Sequence, residues 1–221
     1  MSREYIAELV GTFALVFIGA GAVTTNAFTN GAVGIVGIAL AHGLTLMAMI
    51  YAVGHISGTH INPAVTVAMA ASRQIPVKKA AGYIVSQLIG AAIAGGALLV
   101  IFPSAPASLG ATLLASGISP ATGILIEAIL TFFLVWTIFG AAVDNKGGAG
   151  PFVGIAIGLV LTLDILFGGA LTGASMNPAR SFGPALASGN FADFWVYIVG
   201  PVVGGLVAAG LYKLSFLRRK E

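Results

Sequence analysis

Six long apolar runs constrain what this chain can fold into more than any other feature of its sequence. Each run reaches the roughly 20 residues that a helix needs to cross the hydrocarbon core of a bilayer. Since 58% of the residues are hydrophobic and only 8% are charged, the chain cannot cover a water-facing surface. The sequence therefore predicts an all-α membrane protein, a single domain over residues 1–221, with six transmembrane helices at about 5–25, 32–54, 80–102, 120–143, 150–169 and 194–216.

The basic residues indicate the orientation, because short cytoplasmic loops carry an excess of lysine and arginine. All but Arg180 lie on one predicted side of the membrane: Arg3, Arg73, Lys78, Lys79, Lys146, Lys213, Arg218, Arg219 and Lys220. We therefore expect both termini in the cytoplasm and the protein in the cell membrane.

The first run is too long for the apolar core of a signal peptide, so we expect it to be retained. The chain has no basic patch interleaved with aromatic residues, and we expect no nucleic-acid partner.

The chain also contains an internal repeat, in which three landmarks recur in the same order and at nearly constant spacing. Glu8 corresponds to Glu127, the segment SGTHINPA at 57–64 to TGASMNPA at 172–179, and Tyr83 to Tyr197. Each half holds three predicted crossings, an odd number, so the second half begins on the opposite face. We expect inverted halves at about 1–110 and 111–221, with the functional site near the midplane where they meet.

Two Asn-Pro-Ala triplets indicate what lies at that midplane. Asparagine is a favoured helix N-cap, and proline suits the first helical position. About ten helix-compatible residues follow each triplet, which gives roughly 15 Å of helix, half of the hydrocarbon core. Their N-termini would converge at the centre, where non-helical backbone is tolerated if it lines a water-filled cavity. The sequence thus predicts a pore between two half-helices, 63–72 and 178–187, which begin at Asn62-Pro63-Ala64 and Asn177-Pro178-Ala179.

The segments HISGTHINPAV and LTGASMNPARSFGPAL resemble those of the major intrinsic protein family, the aquaporins, and the resemblance covers nearly the whole chain. It implies six tilted helices plus two re-entrant half-helices, a homotetramer in the lipid bilayer, and one pore in each protomer. It also implies a passive water channel that excludes protons and ions. Such a channel needs no cofactor.

The resemblance further implies a selectivity filter at His42, Ile165, Ala174 and Arg180. Arg180 follows Asn177 by three residues, where the first repeat has Val65. A lone histidine on an apolar helix is more often a core residue, and only the spacing from His42 to Asn62 favours the pore. Water-strict members usually carry Phe and His in place of His42 and Ile165. This pair is similar to that of plant tonoplast intrinsic proteins, and we expect ammonia or other small neutral solutes to pass with water.

Two acids, Glu8 and Glu127, lie deep in apolar runs, where an ionisable group is costly and indicates a function. The resemblance implies that they hold the pore loops through backbone hydrogen bonds; a proton relay is the alternative. Asp164 has no counterpart in the first half; contact with solvent at the outer end of its run is one interpretation, and its role stays open. Tyr83, Tyr197 and Trp195 lie near predicted helix ends, which favours interfacial anchoring or packing over a place in the pore.

The pore mechanism follows from the hydrogen-bonding groups of the two triplets. With their side-chain oxygens capping helices, Asn62 and Asn177 would turn amide N–H groups to the lumen and bind water oxygen. The stretches before them, about Gly58–Ile61 and Gly173–Met176, are expected to be extended and to offer carbonyl acceptors along the lumen.

Two other classes of protein are considered beside a channel. An inverted-repeat secondary transporter would need paired acids or lysines at the midplane. A membrane enzyme would need a nucleophile with a base or a cluster of metal ligands. The chain has no cysteine and only three histidines, so we expect neither catalytic residues nor a metal site.

Overall fold

The computed structural model describes residues 2–144 and 148–217, and within them the chain folds into eight α-helices. The helices are α1 (Arg3–Phe28), α2 (Gly34–Ser57), α3 (Pro63–Ala71), α4 (Val77–Ile101), α5 (Pro120–Ile138), α6 (Val153–Gly168), α7 (Pro178–Ser188) and α8 (Val196–Ser215). A π-helical turn, Phe139–Val143, continues α5, and short 3-10 turns lie at Pro106–Gly110 and Gly150–Phe152. The basic residues Lys146, Arg218, Arg219 and Lys220, used above for the orientation, lie outside the described residues.

Six of these helices, within the described part of the chain, are long and apolar enough to cross a membrane. The other two, α3 and α7, contain 9 and 11 residues, which corresponds to roughly 15 Å of helix each. The predicted fold class, six spanning helices with two half-helices, is confirmed. The helix ends differ from the prediction by a few residues; α1, for example, extends to Phe28.

Both half-helices begin where the sequence predicted, because each asparagine caps its own helix. The Asn62 Oδ1 accepts the backbone N–H of Ala64 at 2.8 Å, and the Asn177 Oδ1 accepts that of Ala179 at 3.0 Å. Both asparagines have an extended backbone, and proline follows as the first helical residue. The side-chain caps thus satisfy N–H groups that a helix start leaves without partners.

The stretches before the triplets are not extended, contrary to the expectation. Thr59 and Ile61 have φ of 49° and 39°, and Ala174 and Met176 have φ of 44° and 53°. These left-handed residues are uncommon outside glycine, and they recur at equivalent positions in the two loops. The chain therefore turns sharply inward before each half-helix, a path that hydrophobic patterning does not encode.

Glycines allow the helices that surround the half-helices to approach closely. A Cβ added to Gly204 on α8 would meet the carbonyl oxygen of Ala128 on α5, and one added to Gly200 would lie 2.7 Å from the Cβ of Glu127. The two glycines form a G-x-x-x-G pattern, in which small residues let membrane helices approach closely, and here they bring α5 and α8 together. Gly183 on α7 contacts α4 in the same way, at the Ala91 carbonyl.

Candidate pore

A cavity of about 340 Å³ lies within the helix bundle. At one end it is lined by His42 and Arg180, and its wall follows α2 through Leu46 and Ile50 to Gly54. Branched side chains of α5 and α6 form the apolar side of the cavity, and the loops before α3 and α7 form the polar side. The hydrogen-bonding groups of the cavity thus come from the two loops, from His42 and from Arg180, among otherwise apolar side chains.

Asn62 and Asn177 both line this cavity and hold the two half-helices to each other. The Asn62 Nδ2 donates to the Met176 carbonyl at 2.8 Å, and the Asn177 Nδ2 donates to the Ile61 carbonyl at 2.9 Å. An amide nitrogen has two N–H groups, so one N–H on each asparagine remains for the lumen. The carbonyls of Ile61 and Met176, expected as lumen acceptors, each accept one hydrogen bond from the opposite loop, and a carbonyl oxygen has a second lone pair.

The carboxylate of Glu8 is fully buried and accepts four hydrogen bonds. Its Oε1 accepts the Ser57 hydroxyl at 2.7 Å and the His60 backbone N–H at 2.9 Å. Its Oε2 accepts the Ile61 backbone N–H at 2.6 Å and the Gln87 side-chain amide at 2.7 Å. Glu8 therefore joins α1 to the loop that precedes α3.

Glu127 is also fully buried and makes the matching contacts with the second loop. Its Oε1 accepts the Thr172 hydroxyl at 2.7 Å and the Ser175 backbone N–H at 2.9 Å. Its Oε2 accepts the Met176 backbone N–H at 2.7 Å. All of these partners are donors, which is the geometry of a support for the loop rather than of a proton relay.

Tyr83 and Tyr197 lie behind the two pore loops, so of the two roles expected for them, interfacial anchoring or packing, the structure shows packing. Each is completely buried. The Tyr83 hydroxyl donates to the Ser57 carbonyl, and the Tyr197 hydroxyl to the Thr172 carbonyl, both at 2.8 Å. A buried loop carbonyl needs a donor where water is absent, and the phenol supplies it.

Arg180 is 2% exposed and is held from two sides. Its Nη1 donates to the Gly110 carbonyl at 2.7 Å, and its Nε donates to the His42 Nε2 at 3.3 Å. Sequence reasoning missed Gly110, which ends the turn Pro106–Gly110. In that turn Ala107, Ser108 and Leu109 all have positive φ. The PASLG segment carries no signal that would have revealed this contact in advance.

The structure does not place the other two predicted filter residues on the cavity wall. Ile165 and Ala174 are each 1% exposed and belong to one apolar cluster. The residues that line the cavity at this end are His42 and Arg180. The loop turns at Ala174, with φ of 44°, and its methyl group lies against α6 near Gly168. Of the four predicted filter residues, only His42 and Arg180 therefore contact each other across the cavity.

Asp164 is buried with 6% exposure, so the interpretation that it contacts solvent is wrong. Its Oδ2 has no hydrogen-bond partner within residues 2–144 and 148–217. Asp164 and the next residue, Ile165, are both buried residues of α6.

A chain of hydroxyl groups behind the second loop was also missed. The Ser175 hydroxyl donates to the Asn177 carbonyl at 2.8 Å, so the hydrogen between Ser175 and Ser181, 2.6 Å apart, comes from Ser181. The hydrogen between Ser181 and Thr112, also 2.6 Å apart, then comes from Thr112. Through this chain Thr112 joins the connection between α4 and α5 to the start of α7.

Comparisons with known proteins agree with this architecture. The family model described as Major intrinsic protein matches residues 1–212. Aquaporin NIP1-1 of Zea mays is 45% identical over 212 residues, which cover 96% of this chain and 74% of that protein. Nodulin-26 of Glycine max is 41% identical over 96% of this chain and 77% of that protein.

Among solved structures, the aquaglyceroporin from Plasmodium falciparum has a TM-score of 0.86 and 28% sequence identity, with 96% of each chain covered. Neither this protein nor the two plant relatives is named as a tonoplast intrinsic protein. The similarity of the filter to that group is not confirmed and stays a prediction.

Proposed function

The chain belongs to the major intrinsic protein family and is a multi-pass membrane channel rather than an enzyme, and on this premise we propose that its main permeant is water. The observation that carries the proposal is the pair of asparagines, each with one N–H directed across to the other loop and one left at the cavity. The hypotheses of a coupled transporter and of a membrane enzyme are set aside, because the family consists of passive channels.

Two N–H donors at the midpoint would bind the oxygen of a single water molecule. Its hydrogens then point away from the centre, and neighbouring waters on either side turn in opposite directions, which interrupts proton hopping. The N-termini of α3 and α7 each contribute about half a positive charge. This potential opposes hydronium and metal cations in a low-dielectric cavity, while neutral water passes.

We propose pore roles for the remaining predicted residues on the same basis. His42 and Arg180 form the polar end of the cavity, and Glu8 and Glu127 fix the loops that carry Asn62-Pro63-Ala64 and Asn177-Pro178-Ala179. Ile165 and Ala174 would narrow the pore next to His42 and Arg180, just outside the cavity. This part of the pore is called the narrow end below. Ala174 supports this role because it precedes Ser175, which does line the cavity.

Three features of the assembly are also proposals. The matching contacts of Glu8 and Glu127, and of Tyr83 and Tyr197, support inverted halves at about 1–110 and 111–221. The basic residues on one side of the membrane support a protein of the cell membrane with both termini in the cytoplasm. Membership of the family supports a homotetramer. Protease accessibility of sealed, oriented vesicles and the mass of the detergent-solubilised particle would test them.

We expect proteoliposomes to show fast water flow with proton permeability at the protein-free level. Ammonia should also pass, because the apolar side of the cavity tolerates a small neutral molecule and Arg180 can donate to its lone pair. Glycerol flow should stay low. Stopped-flow light scattering measures water and glycerol, and a trapped pH-sensitive dye measures ammonia and protons.

Water flow at the protein-free level would overturn the proposed function. Fast glycerol flow, or ammonia flow no higher than in empty liposomes, would overturn only the proposed selectivity. An inactive variant such as Gly204→Leu, with α8 pushed from α5, provides a control for the amount of protein in the membrane.

A cysteine placed in the cavity should make water flow sensitive to mercurials. The native chain has no cysteine, so its water flow should resist a mercurial at a concentration that leaves liposomes intact. Leu161 lines the cavity, and Leu161→Cys should therefore be blocked, with recovery after addition of a thiol. Leu159 on the same helix is 54% exposed on the outer surface, and Leu159→Cys should stay open. Equal responses of the two variants would show that the cavity is not the water path.

A further inference from the structure

The hydrogen bonds of His42 determine which of its ring nitrogens carries the proton. The Nδ1 lies 2.9 Å from the Ile38 carbonyl, and a carbonyl can only accept, so the hydrogen is on Nδ1. The Nε2 lies 3.3 Å from the Arg180 Nε, and a guanidinium can only donate. The ring is therefore neutral, with a bare Nε2, and both nitrogens are engaged.

The ring has no room to turn away from this arrangement. Gly19 on α1 packs against the imidazole, and a Cβ added at Gly19 would lie 2.9 Å from the ring Cε1 and even closer to the ring Cδ2 and Nε2. His42 itself is 4% exposed. The glycine leaves space for the ring and no more, so the direction of Nε2 is set by packing as well as by hydrogen bonding.

Arg180 receives its second acceptor from a different part of the chain. The Gly110 carbonyl accepts from Nη1 at 2.7 Å. Gly110 has φ of 75°, and a Cβ there would meet the backbone of Ala20 on α1. The guanidinium thus lies between two acceptors whose positions are fixed by α1. Of its five N–H groups, the described contacts engage two and leave three.

We infer that His42 is a positioning residue for Arg180: its bare Nε2 and the Gly110 carbonyl hold the guanidinium at the wall of the cavity. This inference rests on the proposed function and extends it to the chemistry of the narrow end. His42 has no N–H left to offer a passing molecule, so Arg180 supplies the donors there. A permeant is recognised at this point by its ability to accept a hydrogen bond, as water and ammonia do.

The protonation of His42 can be read directly. Nitrogen-15 solid-state NMR on histidine-labelled protein in liposomes should show the signal of a neutral ring protonated on Nδ1 that disappears in His42→Gln. Only three histidines contribute, His42, His55 and His60. If the signal that disappears in His42→Gln comes from a ring protonated on Nε2, or on both nitrogens, at neutral pH, the inference is overturned. Sequential backbone correlations assign the signal if the variant does not fold.

Proton leak through variants tests whether His42 acts through Arg180. His42→Leu removes the acceptor and should raise the leak, whereas His42→Gln keeps an acceptor oxygen and should raise it less. In an Arg180→Val background, His42→Leu should add nothing, because a residue that acts only by positioning another has no effect once the other is gone. An equal fold-change in both backgrounds would overturn the inference.

The two proposals can fail separately. If native liposomes conduct no water while His42 has the expected tautomer, the proposed function fails and the positioning role stands. If water flows and the ring carries its proton on Nε2, the channel stands and the positioning role fails.

Discussion

Glu127→Gln is expected to lower the stability of the folded channel by roughly 2–4 kcal/mol and to abolish most of its water flow. The carboxylate accepts hydrogen bonds from Thr172, Ser175 and Met176. The glutamine amide has the same shape, but its NH₂ group cannot accept a hydrogen bond and would face at least one of these buried donors. Each buried group left without a partner costs about 1–3 kcal/mol. The loss should appear as a lower thermal unfolding midpoint of the detergent-solubilised protein, together with slower osmotic shrinkage of proteoliposomes.

Glu4→Gln is the matched control, since it makes the same chemical change on the same kind of residue. Glu4 pairs with Lys79 at 2.6 Å, but both side chains are about one-third exposed, and such pairs contribute about 0–1 kcal/mol. A similar loss in the two variants would mean that the number of acids, rather than the three donors around Glu127, sets the stability.

Arg180→Val is expected to keep water flow and to raise the leak of protons and of larger neutral solutes. It removes a buried positive charge and five N–H donors from the narrow end. At an effective dielectric constant of about 20, a unit charge at 4 Å contributes about 4 kcal/mol, so the proton leak could rise by up to about a thousandfold. Dye-loaded proteoliposomes under an imposed pH gradient measure this leak, and light scattering measures the neutral solutes.

Lys78→Val removes a positive charge from an exposed position at the start of α4 and should leave the leak unchanged. A leak that rises equally in both variants would assign the effect to net charge. If Arg180→Val leaks no more than the native protein, Arg180 is not the barrier at the narrow end.

Much of the fold could be predicted because its signals are local. A run of apolar residues has the length of a bilayer, and an Asn-Pro pair caps a helix by itself, so the six crossings and the starts of α3 and α7 follow from adjacent residues. Glu8 and Glu127 stood out because charge is rare in apolar runs. The resemblance added the expectation that these acids contact the pore loops.

The parts that could not be predicted depend on how distant segments meet. The acceptor for Arg180 comes from the Gly110 carbonyl, 70 residues away along the chain, and any residue type has a carbonyl. The carbonyls of Ile61 and Met176 each meet an asparagine of the other half, and no local pattern predicts that pairing. Burial of Tyr83, Tyr197 and Asp164 likewise depends on which face of a helix the neighbouring loop covers, and apolar runs in a membrane protein do not distinguish the faces.

The exchange of hydrogen bonds between the two asparagines also has a consequence for the order of events during synthesis. Glu8 and its partners Ser57, His60, Ile61 and Gln87 all belong to the first 110 residues, so the first loop can take its shape soon after α4 enters the membrane. The Asn62 amide, however, donates to Met176, which emerges from the ribosome more than a hundred residues later. Until then its nitrogen faces an unfinished cavity. The first loop can therefore be shaped before this hydrogen bond exists, and the contact that joins the two halves can form only after the second loop has been made.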